Sequence, residues 1–304
     1  MTANSQSGIR IGVDLGGTKI EIIAIDANRS EIVRRRIATP QNDYEATLRA
    51  IAALVRGVEE ELVCTASVGV GTPGAASRRS GLIKNANSTV LIGKNLKHDI
   101  EQRLDREIRT ANDANCLVLS EAIDGAGRGS RVVFGVILGT GVGGGIAVDG
   151  RILEGSAAIA GEWGHIPLPW LTAEEDPGSL CYCGKYGCIE TWLSGPALSA
   201  QFQKRTGERT IPTQIARLAL AGNITAAQCL ARYEDRLARG LAVAINILDP
   251  DVIVLGGGVS NIDRFYPNVP KLLTKYVFGC EFGSTLQRAS LGDSSGVRGA
   301  ALLW

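Results

Sequence analysis

Residues 9–25 read IRIGVDLGGTKIEIIAI, and residues 132–148 read VVFGVILGTGVGGGIAV. Each is an apolar, β-branched run, then a Gly/Thr turn, then a second apolar run, the pattern of two strands joined by a short hairpin. A polar turn follows each copy, Asp26-Ala27-Asn28 in the first and Asp149-Gly150 in the second, so a third strand is expected to extend each meander. Glycine turns let backbone N–H groups come close to an anion, because no Cβ stands in the way. One such turn alone reads as a tight hairpin. Two in the same setting point to a pair of phosphate cradles in a duplicated nucleotide-binding protein.

Outward from these turns, strands alternate with helices, which argues for α/β layers. Leu, Ile and Val recur at helical spacing over 43–62, and 66–71 (ASVGVG) reads as a strand ending in Thr72-Pro73-Gly74. An amphipathic helix over 95–107, a strand over 108–111, Asn112-Asp113 and a helix over 114–123 follow. Residues 155–195 are Gly/Pro/Cys-rich and irregular; loops of that length are usually functional or disordered. Beyond them the pattern predicts a long helix over 226–248, a buried strand over 252–255 and the turn Gly256-Gly257-Gly258. Another helix, a strand over 285–290 and a last helix from Gly296 complete the chain.

With 304 residues the chain has room for about two domains, and 45% apolar with 21% charged residues is ordinary globular composition. A net charge of +1 offers no basic face for nucleic acid or membrane. No apolar run reaches the roughly 18 residues of a spanning helix, and the opening MTANSQSG lacks the apolar core of a signal peptide. The expected place is the cytoplasm, where seven cysteines serve as thiols or metal ligands rather than disulfides.

Gly139-Thr140-Gly141-Val142-Gly143-Gly144 matches the dinucleotide pattern GxGxxG, but that fingerprint needs a helix after the glycines, and here a strand follows. There is no Walker A sequence. Asp14 at the end of the first strand would repel phosphate unless a cation intervened. Magnesium, which takes one or two carboxylates, several waters and the substrate phosphates, fits that position, held through water. Cys181, Cys183 and Cys188 with His165 make a complete tetrahedral zinc set with no open position, hence a structural metal pinning the irregular loop. Cys64, Cys116, Cys229 and Cys280 sit among apolar residues and read as core packing. Asp113, between strand and helix, reads either as an N-cap or as a general base. Glu162 and Glu190 flank the cysteine loop; each reads as a solvated glutamate or as an acceptor for sugar hydroxyls.

Asp14-Leu15-Gly16-Gly17-Thr18-Lys19, Asn112-Asp113-Ala114-Asn115, Leu138-Gly139-Thr140-Gly141, Gly161-Glu162-Trp163-Gly164-His165 and CYCGKYGCIE together resemble the ROK family (repressors, open reading frames, kinases) over 9–304. The resemblance implies the actin-like, hexokinase-type (ribonuclease H-like) duplicated fold, two α/β lobes with a central cleft closing over Mg-ATP and a sugar. It implies a small lobe over 1–113, a large lobe over 114–296 and a C-terminal helix over 297–304 that returns to the small lobe. Carried over residue by residue, Asp113 matches the catalytic base, and Gly74, Asn87, Asn112, Asp113, Glu162, His165 and Glu190 are expected to contact the sugar. Asp14, Gly16, Gly17, Thr18, Lys19, Gly139, Thr140, Gly141, Gly256, Gly257 and Gly258 are expected around ATP, and His165 with the three cysteines matches the family's zinc set.

Within the family, the runs 84–89, Pro167-Leu168-Pro169-Trp170 and CYCGKYGCIE look closest to proteobacterial fructokinases, which implies phosphorylation of D-fructose at its 6-hydroxyl. The family's N-acetylglucosamine kinases share every catalytic motif and are the nearest alternative, followed by glucokinases and mannokinases. A sugar-responsive repressor would need an N-terminal helix-turn-helix module and a basic face, so a kinase is expected and a non-catalytic sensor is not. A homodimer is expected by family analogy alone.

Overall fold

The computed structural model describes residues 8–86, 88–292 and 295–304. They form two compact units. The first holds the chain up to Ser120, Glu154–Ala160 and the C-terminal stretch to Trp304; the second holds Glu121–Leu153 and the chain from Gly161.

In the first unit β1 (Arg10–Leu15), β2 (Lys19–Ile25) and β3 (Glu31–Ala38) form the expected antiparallel meander. β4 (Ser67–Thr72) pairs parallel to β1, the short β5 (Ala75–Ala76) and β6 (Ile83–Lys84) pair with each other, and β7 (Arg109–Asn112) pairs parallel to β4. The main sheet runs β3-β2-β1-β4-β7. Helix α1 (Tyr44–Leu62) starts where Asp43 accepts the Ala46 N–H at 2.8 Å. Its stripe of Leu48, Ile51 and Val55 shares a core with Ile11 and Val13 of β1 and with Leu96 and Ile100 of α2 (Leu96–Leu104). Helix α3 (Asp113–Asp124) follows β7, and the division between units falls within it.

In the second unit β8 (Val132–Leu138), β9 (Val142–Val148) and β10 (Arg151–Ile152) repeat the meander, and β11 (Val252–Gly256) and β12 (Thr285–Arg288) add in parallel. The order β10-β9-β8-β11-β12 reproduces that of the first sheet strand for strand. Two elements were not expected from the sequence between the irregular loop and the long helix. They are α5 (Gly195–Thr206), capped by Ser194 and stopped by Gly207 at φ 79°, and α6 (Pro212–Leu220). Both follow the four-residue α4 (Glu190–Leu193). The long helix α7 (Ile224–Leu248) buries Tyr233, Leu237 and Leu241 at the centre of this unit's core, which α8 (Phe265–Leu273) joins through Phe265 and Val269.

Helix α9 (Ser295–Ala301) lies on β1 and β4, on the face opposite Ile11 and Val13. Gly12 and Gly69 are register partners beneath it. A Cβ on Gly12 would stand 2.1 Å from Val297 O, and one on Gly69 1.9 Å from Ala300 O, so the helix rests on bare backbone. Beyond it Trp304 Nε1 donates to Val68 O at 2.8 Å, and the Arg109 guanidinium stacks on its ring at 4.1 Å. No helix among the described residues is long and apolar enough to cross a membrane.

Candidate functional site

The parallel strands β1, β4 and β7 end together, at Leu15, Thr72 and Asn112. That edge is where ligands of open α/β sheets sit, and it gathers Asp14, the Gly16–Lys19 turn, Gly74, Asn112 and Asp113. The turn is held from beyond the end of β3. Thr39 Oγ1 donates to Gly16 O at 2.7 Å, Thr39 N–H to Thr18 O at 3.0 Å, and Gln41 Nε2 to Gly17 O at 3.0 Å. Engaging the carbonyl oxygens takes up lone pairs that would repel a phosphate, while Gly17 and Thr18 stay exposed. Thr39 and Gln41 were not singled out from the sequence; only the β2–β3 register brings them to the turn.

Asp14 pairs across the sheet with Glu21 on one side and Gly71 on the other. Burial, then Asp113 and Glu21, push its carboxyl up to about 6, against the smaller pull of Lys19 and Arg36. Those cations are gathered by Glu21, which is 1% exposed and takes Arg34 at 2.5 Å, Arg36 at 2.8 Å and Lys19 at 3.7 Å. Asp14 and Asp113 thus feel each other's charge, a repulsion that a divalent cation with oxygen ligands would relieve. The helix cap expected of Asp113 is made chiefly by Asn112. Asn112 Oδ1 accepts the N–H of Ala114 at 2.8 Å and of Asn115 at 3.3 Å, while Asp113 Oδ1 also accepts from Ala114 at 2.8 Å. Asn112 Nδ2 donates to Gly74 O at 3.3 Å, tying the Pro73-Gly74 turn to the start of α3. Asn87 lies outside the described residues.

In the second unit the Gly139-Thr140-Gly141 turn joins β8 to β9, and Gly256-Gly257-Gly258 follows the adjacent parallel strand β11. Gly139 N–H closes on Gly141 O at 3.0 Å, and Gly195 N–H, at the start of α5, donates to Gly139 O at 2.8 Å. Glu190 is drawn to this turn as well: its Oε2 accepts the Val142 N–H at 2.9 Å. Neither Gly195 nor this use of Glu190 is signalled by spacing, because both depend on how α4 and α5 pack.

The segment expected to be irregular is anchored at both ends. Trp163 stands edge-on to Phe134 at 6.0 Å and donates to Gly240 O of α7 at 2.9 Å, fixing Glu162 and His165 on either side. Pro167 bridges to Cys188, and Leu180 to Tyr186. His165 Nδ1 and the thiols of Cys181, Cys183 and Cys188 converge, all four donor atoms lying within 4.8 Å of one another. Cys181 Sγ is 3.5 Å from His165 Nδ1, and Cys183 Sγ is 3.6 Å from Cys188 Sγ. Those separations suit a tetrahedral metal with thiolate bonds of about 2.3 Å. Burial, then the neighbouring thiols, push Cys188 up to about 12, a cost of ionisation that a bound dication would reverse. On the far side of the imidazole, Nε2 is 2.9 Å from the hydroxyl of Tyr182. Desolvation, then the charges of Glu190, Cys181 and Glu162, raise that phenol to about 12.

Two five-stranded sheets of one topology, each with a glycine turn at the same hairpin, define the actin-like, hexokinase-type class. Residues 10–304 match the ROK family, and the chain belongs to it. The N-acetyl-D-glucosamine kinase of Pectobacterium atrosepticum is 39% identical over 296 residues, covering 96% of this chain and 97% of its own. The N-acetyl-D-glucosamine kinase of an Escherichia coli O6:H1 strain is 38% identical with 96% and 98% covered. The ROK hexokinase of Thermus thermophilus superposes with a TM-score of 0.85 at 30% identity, covering 97% of both chains. A ROK glucokinase from Streptomyces griseus, crystallised with glucose and AMPPNP, gives 0.81 at 29% identity over 97% and 99%. The protein is a ROK-family sugar kinase, and these relatives give the expectation of fructose no support.

Proposed function

We propose that this kinase transfers the γ-phosphoryl group of ATP to the 6-hydroxyl of N-acetyl-D-glucosamine. The observation that carries the substrate is likeness along nearly the whole chain, at 39% and 38% identity, to two N-acetylglucosamine kinases. The nucleotide is supported by the two glycine turns and by the AMPPNP bound to the related glucokinase. Phosphoryl transfer needs in-line positioning and charge compensation more than covalent help. In this reading Asp113 orients the attacking hydroxyl and accepts its proton. Asn112, Gly74, Glu162, His165 and Glu190 are the residues proposed to contact the sugar. The turns at Gly16–Lys19 and Gly139–Gly141, with Gly256–Gly258, hold the nucleotide through backbone N–H groups. In this reading Asp14 would hold magnesium through water, and that ion would supply compensation of phosphate charge when bound. The site of action is the cytoplasm, where ATP is available.

Zinc is our assignment for His165, Cys181, Cys183 and Cys188, because one imidazole and three thiolates close a tetrahedron without an open position. When bound it cross-links the loop and fixes the ring of His165. Elemental analysis is expected to find one zinc per chain, and a strong chelator to abolish activity that added zinc restores.

The deciding experiment is a coupled ADP-release assay comparing kcat/KM for N-acetylglucosamine, glucose, mannose and fructose. N-acetylglucosamine is expected to lead by at least about tenfold, the scale on which a few pocket contacts discriminate. A lead for fructose would return the substrate to the one expected from the sequence.

A further inference from the structure

Tyr182 stands out among the tyrosines of this unit. Tyr233 is fully buried with its hydroxyl committed to Leu193 O at 2.6 Å, whereas Tyr182 is 66% exposed between two metal-directed cysteines. Its backbone surroundings are fixed, with Cys181 N–H on Lys185 O at 2.8 Å and Gly184 N–H on Cys181 O at 2.9 Å. Its ring stands edge-on to His165, centroids 5.0 Å apart and planes at 89°, and its hydroxyl is 2.9 Å from Nε2. With Nδ1 given to the metal assigned above, Nε2 carries the ring proton and can only donate. A sugar hydroxyl and the Tyr182 oxygen therefore want the same hydrogen.

We propose that Tyr182 is a displaceable cap on the sugar site: its phenol occupies the Nε2 hydrogen bond that a sugar hydroxyl takes over, and the ring swings out as the sugar enters. This rests on the reading of His165 as a sugar contact. The backbone is pinned while the ring packs against no core, so the swing gives up little beyond one hydrogen bond and an edge contact. The cap keeps the imidazole hydrogen-bonded and oriented while the site is empty. It also makes sugar affinity weaker than the contacts alone would give, since every hexose must displace it.

The test is calorimetric, without ATP, on the metal-replete protein and on Tyr182→Phe and Tyr182→Ala, titrated with N-acetylglucosamine, glucose and fructose, with zinc measured in each. Removing the competing hydroxyl is expected to lower the Kd of the sugar bound by the unaltered protein roughly 3- to 10-fold in Tyr182→Phe. Tyr182→Ala, lacking the ring as well, is expected to tighten binding at least as much. An unchanged or raised Kd in both variants overturns the cap, and so does loss of zinc from Tyr182→Phe, which would make Tyr182 a support of the metal site. Binding of glucose or fructose but not N-acetylglucosamine overturns the proposed substrate alone, and the shift is then read on the sugar that binds. Failure of the unaltered protein to bind any of the three overturns both.

Discussion

Glu190 Oε2 accepts the backbone N–H of Val142 at 2.9 Å, so the first residue of α4 holds the end of the second glycine turn. A carboxylate expected at the sugar thus already has one oxygen on the turn expected at the nucleotide. The same oxygen would lie 2.6 Å from a Cβ on Gly141, and it could retreat only by giving up Val142. Gly141→Ala is expected to lower kcat/KM for ATP roughly 10- to 100-fold, as small misplacements of a binding loop do. Glu190→Gln, whose amide oxygen can still accept, should lose less on the ATP side than Glu190→Ala. Equal losses in the two Glu190 variants would show that the hydrogen bond is irrelevant to the turn.

Asp113 is expected to act on the proton of the attacking hydroxyl rather than on sugar affinity. In Asp113→Asn, kcat should fall about 10²- to 10⁴-fold. The sugar Kd should stay within a few-fold, measured by calorimetry beside the coupled assay. Turnover close to that of the unaltered protein would remove Asp113 from the chemistry.

The raised carboxyl of Asp14 gives a stability signature with a definite sign. Its folded value of about 6 lies above the ordinary 3.8, so the protonated form is favoured by folding. The stability this confers is fully present below about pH 4 and is lost as pH rises through 6. Asp14→Asn escapes that loss, so without nucleotide its Tm advantage should grow between pH 5 and pH 7 and then level off. Activity should meanwhile drop with the loss of the magnesium position. A Tm difference that stays flat from pH 5 to pH 8 would refute this.

Glu175 behaves in the opposite sense. Burial alone would raise it, but hydrogen bonds from Arg239, the Thr172 N–H and Arg236 hold it down at about 2. Its contribution is therefore present above about pH 4.5 and disappears as pH falls toward 2. Glu175→Gln leaves Arg236 and Arg239, 8% and 3% exposed, without that charge and should cost about 3–5 kcal/mol. Urea unfolding at pH 7 measures it, and a cost under about 1 kcal/mol would mean that Asp235, 3.0 Å from Arg239 Nε, and Gln201, which accepts from Arg236 Nη1, suffice as partners.

The sheets were legible in the sequence because β-branched runs and glycine turns are local signals, and the repeat of one pattern exposed the repeat of one topology. The Cys/His cluster was legible for the same reason, three of its four donors lying within eight residues. What stayed hidden depends on register and packing between distant segments. Thr39 and Gln41 reach the first turn only through the β2–β3 pairing, and Gly195 reaches the second only through α5. The cap of α3 could not be divided between adjacent Asn112 and Asp113 without coordinates. The expectation of fructose draws no support from the relatives, because the motifs that reveal the family serve phosphate and hydroxyl in all its kinases. Sugar choice turns on a few pocket hydrogen bonds, and motif spacing does not encode them.

Helix α9 closes the sheet that β1 opens, with Gly12 and Gly69 flush against its backbone. In order of synthesis nearly all of the second unit lies between these partners. While the ribosome is still making the second unit, the face of β1 and β4 that α9 will cover stays bare. The first unit's sheet has all its strands once β7 emerges, but the face of β1 and β4 is covered only when α9 is made. The half made earliest is finished last, and over that interval a nascent chain would need protection from aggregation.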